Sequence, residues 1–374
     1  MTELPSGTNR AQIIDRSGKE NSKNAYWEPV IVTKSEIEQE IARLSSLPPP
    51  FNGRRRAIIA HPMANPQCPG LAPGIQVTLN VLNPGEQTDT FRHNATEVNF
   101  CIRGKGKVSR RGETTSFSTN DVWNMPSYVP YSTQNLSEEP LVWLNYSNAP
   151  LLQFLQARIT ESEIGDRSPE QEEGWKPPAH DRTVGSDDLG QDGISIGHGG
   201  AKLLPYERLI NPKVVQSDAL HWPWHEVEEQ LEKLSGLDKS YVGRRLYLLY
   251  NPATGRTNGT TQNFFATITI RPPRIIDRPH RHVSAAINYY FQGSGYSVVE
   301  GKKYEWGPGD LMLSAPPWAV HNHASHDEYV YELTVQDQPL AIAMDALLWQ
   351  ENLKRPPHLL GSQYGFETNK HLVE

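Results

Sequence analysis

What this sequence has little of narrows it first. Only two cysteines, Cys68 and Cys101, occur in 374 residues, too few for a disulfide framework or a cysteine-based metal site. No apolar run approaches the roughly eighteen residues of a membrane-spanning helix. The start, Met1-Thr2-Glu3-Leu4-Pro5, lacks the basic-then-apolar pattern of a secretory signal. A cytoplasmic protein with no membrane partner is the expectation. Basic stripes are missing too: the net charge is -7 and the lysines and arginines are scattered, which argues against nucleic acid as a partner. Long helical patterns are scarce, because 30 prolines and 28 glycines punctuate the chain into short segments that suit an all-β protein.

What is present is a repeat. After a polar stretch over residues 1–25, which reads as an arm, residues 35–47 carry Ile37, Ile41 and Leu44 at helical spacing behind a capping Ser35. The prolines from Pro48 close that helix. The same arrangement returns 190 residues on, in 225–237. At this offset Gly53-Arg54-Arg55 meets Gly243-Arg244-Arg245, and at 189 Gly104-Lys105-Gly106 meets Gly293-Ser294-Gly295 and Asp121 meets Asp310. The chain is therefore read as a duplication of a helix followed by a β-rich unit. Segments 264–271, 288–299, 310–314 and 328–335 concentrate β-branched and aromatic residues between turns, as do 76–82, 97–102, 121–124 and 141–146 in the first half. Two domains are expected, 26–165 and 216–350, joined by a turn-rich connector over 160–215.

Five of the 13 histidines, His280, His282, His321, His323 and His326, fall within one window of the second half. Side chains at i and i+2 of a strand share a face, so His280 and His282 point the same way, and His321 from a separate strand completes a three-imidazole face. Neutral imidazoles suit Fe, Zn, Cu or Ni, and an open facial triad is the pattern of non-haem Fe(II) oxygen chemistry. Three neutral ligands leave a divalent metal its full charge, which favours an anionic, chelating substrate. By the same parity His323 shares the face of His321, whereas His326 is expected on the surface. The first half acts as an internal control. Its matching positions read Phe91, His93 and Tyr131, which cannot grip a metal, and a structural hydrogen bond is expected of Glu97. The helix over 225–237 is read as a solvated acidic face with an apolar stripe against the barrel.

Two β-rich units, each with a histidine-bearing strand, a Gly-x-Gly turn, a Pro-Gly-Asp or equivalent turn and a returning ligand position, resemble the cupin superfamily. The resemblance implies an all-β bicupin: two double-stranded β-helix (jelly-roll) barrels with a few flanking helices. Ala286 stands where that superfamily has its carboxylate ligand. Arg244-Arg245 leading into Tyr250-Asn251-Pro252, together with His280-Arg281-His282 and Pro317-Trp318-Ala319-Val320-His321-Asn322-His323, is similar to the ring-cleaving gentisate and salicylate 1,2-dioxygenase class. That resemblance implies Fe(II) on His280, His282 and His321, and His323 as acid/base. It implies a carboxylate grip from Arg244 or Arg245, and substrate contacts from Asn288 and Trp318, with Asn288 at a position where the class commonly has arginine. It further implies a small aromatic acid and O2 as partners, gentisate or a 5-substituted salicylate among the candidates, and a homo-oligomer, dimer or tetramer. A non-oxidative metal-dependent bicupin (decarboxylase, lyase or isomerase) and a binding or storage bicupin are the alternatives.

Overall fold

The computed structural model describes residues 15–18, 26–110, 112–162, 193–204, 215, 217–237 and 244–365. Each half builds an antiparallel barrel from a six-stranded and a three-stranded sheet. In the first, the large sheet runs His221–Trp222, Val122–Met125, Glu97–Arg103, Leu141–Ser147, Gln76–Leu82, Arg55–Ile59, and the small one Glu113–Ser118, Lys105–Arg110, Ser132–Asn135. The second repeats this order with Val30–Val32, Leu311–Ala315, Ala286–Gln292, Val330–Gln336, Phe265–Arg271, Leu246–Leu248, and with Lys302–Trp306, Gly295–Val299, His321–Ser325.

The edge strands are exchanged between the halves. Val30–Val32 from the start of the chain pairs with the second barrel, Val30 opposite Leu313 and Val32 opposite Leu311. His221–Trp222, which precedes the second helix, pairs with Trp123 and Val122 of the first. The same turn aspartates that mark the repeat fasten this crossing. Asp310 Oδ1 accepts the amide of Lys34 and Asp121 Oδ1 the amide of Trp224, both at 2.7 Å. Each carboxylate therefore sits at the positive N-terminus of the other half's helix.

The two long helices among the described residues are Lys34–Ser46 and Trp224–Ser235. The first starts one residue earlier than its periodicity suggests, and Thr33 rather than Ser35 caps it. The physical reason is Glu36, whose carboxylate reaches back to the Thr33 amide at 2.7 Å while its own amide meets the Thr33 hydroxyl, a reciprocal capping box. Ile37, Ile41 and Leu44, and in the second helix Leu231 and Leu234, are buried, each contributing about 1.5–3 kcal/mol. One apolar core runs through both halves, with Phe100 of the first barrel 5.3 to 5.4 Å from the rings of Tyr289 and Phe291 of the second. Of the N-terminal arm only residues 15–18 are described, and of the connector only the residues up to 162, 193–204 and 215, with a small hairpin of Ile194–Ser195 and Lys202–Leu203. Beyond residue 350 the chain still belongs to the second unit, since His358–Leu359 pairs with Leu348–Gln350, which in turn pairs with Arg281–His282. Among the described residues no helix is long and apolar enough to cross a membrane.

Candidate metal centre

The second barrel encloses a cavity of about 400 Å³, with His280, His282, His321 and His323 in its wall. Backbone bonds between His280 and His321 at 2.9 and 3.1 Å join the two histidine-bearing segments. One nitrogen from each of His280, His282 and His321 lies within 4.8 Å of the others, and all three rings are buried. Their Nδ1 atoms point outward to carbonyls, His280 to Arg278 at 3.1 Å, His282 to Ser284 at 2.8 Å, and His321 to Ala319 at 2.9 Å. A carbonyl only accepts, so each Nδ1 carries the hydrogen and each Nε2 is left with its lone pair. Burial first pushes all three below the usual histidine range, His321 to about 4; the neighbouring imidazoles add to this for His280 and His282, and Arg244 for all three. The rings are thus neutral at pH 7, as metal ligation demands. Three fixed, neutral, convergent nitrogens with a cavity on their open side fit a divalent transition metal.

His323 lies two residues after His321 on the same strand, as parity requires. Its Nδ1 meets the Ser297 hydroxyl at 2.8 Å, and that oxygen also accepts the indole N–H of Trp306 at 3.0 Å. Nε2 remains for whatever occupies the cavity. His326 is half-exposed and pairs with Glu305 at 3.0 Å.

Both arginines of the Arg244-Arg245 pair border the cavity, but their ends diverge. Arg244 donates to Glu351 at 2.9 Å and lies 5.5 Å from the Trp349 ring. Arg245 donates to the Leu237 carbonyl just past the second helix, at 3.1 Å. Its repeat partner Arg55 does the same for the first helix, donating to the carbonyls of Leu44 and Leu47. Gly243 lies outside the described residues. Asn288 faces the cavity, with its Oδ1 held by the Ser314 hydroxyl at 2.6 Å. Trp318 does not line it. Its backbone adopts φ 66°, its amide closes on the His282 carbonyl at 2.7 Å, and its ring lies under Arg281 at 4.4 Å. The left-handed turn at Trp318 points the indole away from the barrel interior, so its part is to brace the His282 strand.

Several cavity residues escaped the sequence reading. Trp349 stacks on His282 at 4.7 Å and on His280 at 5.5 Å. Arg271 is buried against Glu332 at 3.0 Å and Asp277 at 2.9 Å. A signal existed for two of them: Arg271 shares parity with Thr267 and Thr269, and Glu332 with Thr334 and Gln336, all facing inward. A charge at the inward position of a strand is worth asking about. For Trp349 no local signal exists, because only its pairing opposite His282 brings it in.

The first barrel differs in more than its histidine positions. Its corresponding cavity is about 50 Å³. Glu97 takes the Tyr131 hydroxyl at 2.7 Å and pairs with His93 Nε2 at 3.0 Å, the structural role expected of it. Where Ser284 supports His282, the first half has Ala95, and His93 Nδ1 has no hydrogen-bond partner among the described residues.

Family models match each half, one described as a cupin domain over residues 78–146 and one as an AraC-like ligand binding domain over 265–365. The chain has a bicupin fold. This bicupin is similar to a 5-aminosalicylate 1,2-dioxygenase of Comamonas sp, 24% identical over 76% of this chain and 71% of that one. A gentisate 1,2-dioxygenase of Streptomyces sp is 28% identical over 71% and 70%. A crystal structure of salicylate 1,2-dioxygenase from Pseudoaminobacter salicylatoxidans with gentisate superposes at a TM-score of 0.68, with 17% identity, covering 88% of this chain and 86% of that one. The bicupin thus has its relatives among the gentisate and salicylate 1,2-dioxygenases, the class that its histidine motifs resemble.

Proposed function

We propose that this bicupin is a ring-cleaving dioxygenase that opens a salicylate-type acid, gentisate or a 5-substituted salicylate, between the carboxyl-bearing and hydroxyl-bearing carbons. His280, His282 and His321 would hold Fe(II). The observation that carries the reading is the set of three neutral imidazoles, each pinned at Nδ1 by a carbonyl, opening onto a 400 Å³ cavity bordered by Arg244. That volume suits a single substituted ring, and relatives named for aminosalicylate and gentisate support the substrate class.

Iron held by these three histidines would supply Lewis-acid and redox chemistry for the reaction of the aromatic acid with O2. The protein's own groups do the rest. Arg244 offers a planar guanidinium fork to the substrate carboxylate, and Glu351 with Trp349 fixes where that fork points. Trp349 covers one face of the imidazole pair and keeps water from it. Asn288 and the inward threonines 267, 269 and 334 line the polar wall that orients the ring. His323 holds a proton at Nε2 or takes one from the phenolic hydroxyl, with Ser297 fixing the ring from behind. The buried Arg271 disfavours a second charge on His323, after burial itself, so the imidazole rests neutral and ready to accept.

Oxygen uptake by anaerobically purified protein, with and without added Fe(II), against gentisate, salicylate and 5-amino-, 5-nitro- and 5-halosalicylates tests the reading. Iron-dependent uptake with a ring-opened product is expected for at least one acid. An iron-loaded sample that consumes no oxygen with any of them overturns it.

A further inference from the structure

The small cavity of the first barrel is not simply a filled-in remnant. Arg54, Arg56 and Arg158 all line it, among the neutral polar side chains Thr78, Asn99 and Asn145. The Arg54 guanidinium carbon lies over the Phe91 ring, 3.9 Å from its centroid. Arg54 Nε and Arg158 Nη1 are buried without a hydrogen-bond partner among the described residues. A buried polar hydrogen left unpaired costs about 1–3 kcal/mol, and two of them in one cavity wall, both on cations, call for an acceptor.

The only carboxylate in that wall does not provide it. Glu97 is occupied at both oxygens, by His93 and Tyr131. Of the four arginines in the wall, Arg55 is committed to Glu86 and to the carbonyls that end the first helix, which leaves Arg54, Arg56 and Arg158 beside one carboxylate that is already engaged, and Asp89 acts on Arg54 only from outside the lining. We propose that the first barrel binds a small anion, a carboxylate of formate or acetate size or an inorganic oxyanion of similar size, through Arg54, Arg56 and Arg158. A water needs about 10–15 Å³ of such space, so about 50 Å³ admits a few heavy atoms and excludes an aromatic acid. The arginine electrostatics agree: burial, with Arg56 acting on both, holds Arg54 and Arg158 below the usual arginine range. Arg271 of the second barrel, which has two carboxylate partners, is driven the other way. An anion would supply for Arg54 and Arg158 what Glu332 and Asp277 supply for Arg271.

Thermal denaturation and titration calorimetry of the full-length protein at constant ionic strength test this, with formate, acetate, nitrate and phosphate as probes and benzoate as an oversized control. A saturable stabilisation by at least one of the small anions is expected, and formate or acetate against nitrate or phosphate tells carboxylate from inorganic oxyanion. Arg158→Gln and Arg54→Gln should each weaken it about tenfold or more, the loss of one charge-assisted hydrogen bond. His282→Ala, in the other barrel, should retain the response. Circular dichroism checks folding, and if one arginine variant fails to fold the other carries the comparison. No saturable effect from any small anion, an undiminished response in a folded arginine variant, a benzoate response equal to formate, or loss in His282→Ala would each overturn the proposal.

Discussion

The Nδ1 of His323 lies 2.8 Å from the Ser297 hydroxyl, which is itself anchored by the Trp306 indole N–H. The imidazole is thereby held at one end only, and its free nitrogen belongs to the cavity. Ser297→Ala removes the anchor while leaving the metal triad alone. Turnover should fall by about tenfold, a fraction of the 10²–10⁴ that general acid–base catalysis supplies. The Michaelis constant and the bound metal should stay near wild type. Steady-state kinetics beside metal analysis checks this, and equal turnover would remove Ser297 from the account.

The two barrels separate cleanly by mutation. His282→Ala or His321→Ala should abolish stoichiometric metal binding, since each removes one of three converging nitrogens. His93→Ala should leave it intact, because His93 is committed to Glu97. Elemental analysis after dialysis reads the outcome, and metal lost with His93 rather than His282 would move the centre to the first barrel.

Arg244 and Arg245 adjoin in sequence but not in task. Arg244→Ala should raise the Michaelis constant for the aromatic acid about ten- to hundredfold, the worth of a charge-assisted hydrogen bond, with little change in melting temperature. Arg245→Ala should chiefly lower the melting temperature, because its guanidinium reaches the carbonyl at the end of the second helix. Equal effects from both on the Michaelis constant would contradict this division.

Asp337 provides a stability test against pH. Desolvation pushes its carboxyl up from 3.8 to about 6, although it accepts the Ala285 amide at 2.8 Å. The folded state thus keeps a proton that the unfolded state releases between pH 4 and 6. Stability is favoured below the lower value and falls as pH rises through the interval, by on the order of 3 kcal/mol. Asp337→Asn should flatten that fall and be the more stable protein at pH 8. Urea melts of both at pH 4.5 and 8 give the comparison, and parallel curves would show the carboxyl titrating normally.

The duplication, the all-β character and the clustering of His280, His282 and His321 were legible because period-two spacing and the 189- to 190-residue offset are local or self-referential signals. His93 and Glu97 were readable from the same comparison. What stayed hidden came from long-range pairing. Val30–Val32 and His221–Trp222 are too short to register as strands, and nothing in their composition says that they cross to the other barrel. Trp349 and Glu351 reach the site only through a strand laid opposite His282. The bend that turns Trp318 outward depends on a left-handed backbone at a bulky residue, which sequence propensity disfavours.

The exchanged strands bear on why a chain with one histidine triad among its described residues keeps two barrels. The half that holds the histidines borrows an edge from residues 30–32, and the half without them borrows one from residues 221–222. Cutting the gene between the copies would leave two fragments, each with an open sheet margin and a helix stripped of its distant aspartate. The copy without the histidine triad is in this sense a permanent scaffold for the copy that carries it. It is free to drift at its ligand positions, as Phe91 and Tyr131 record, and bound to persist at its seams.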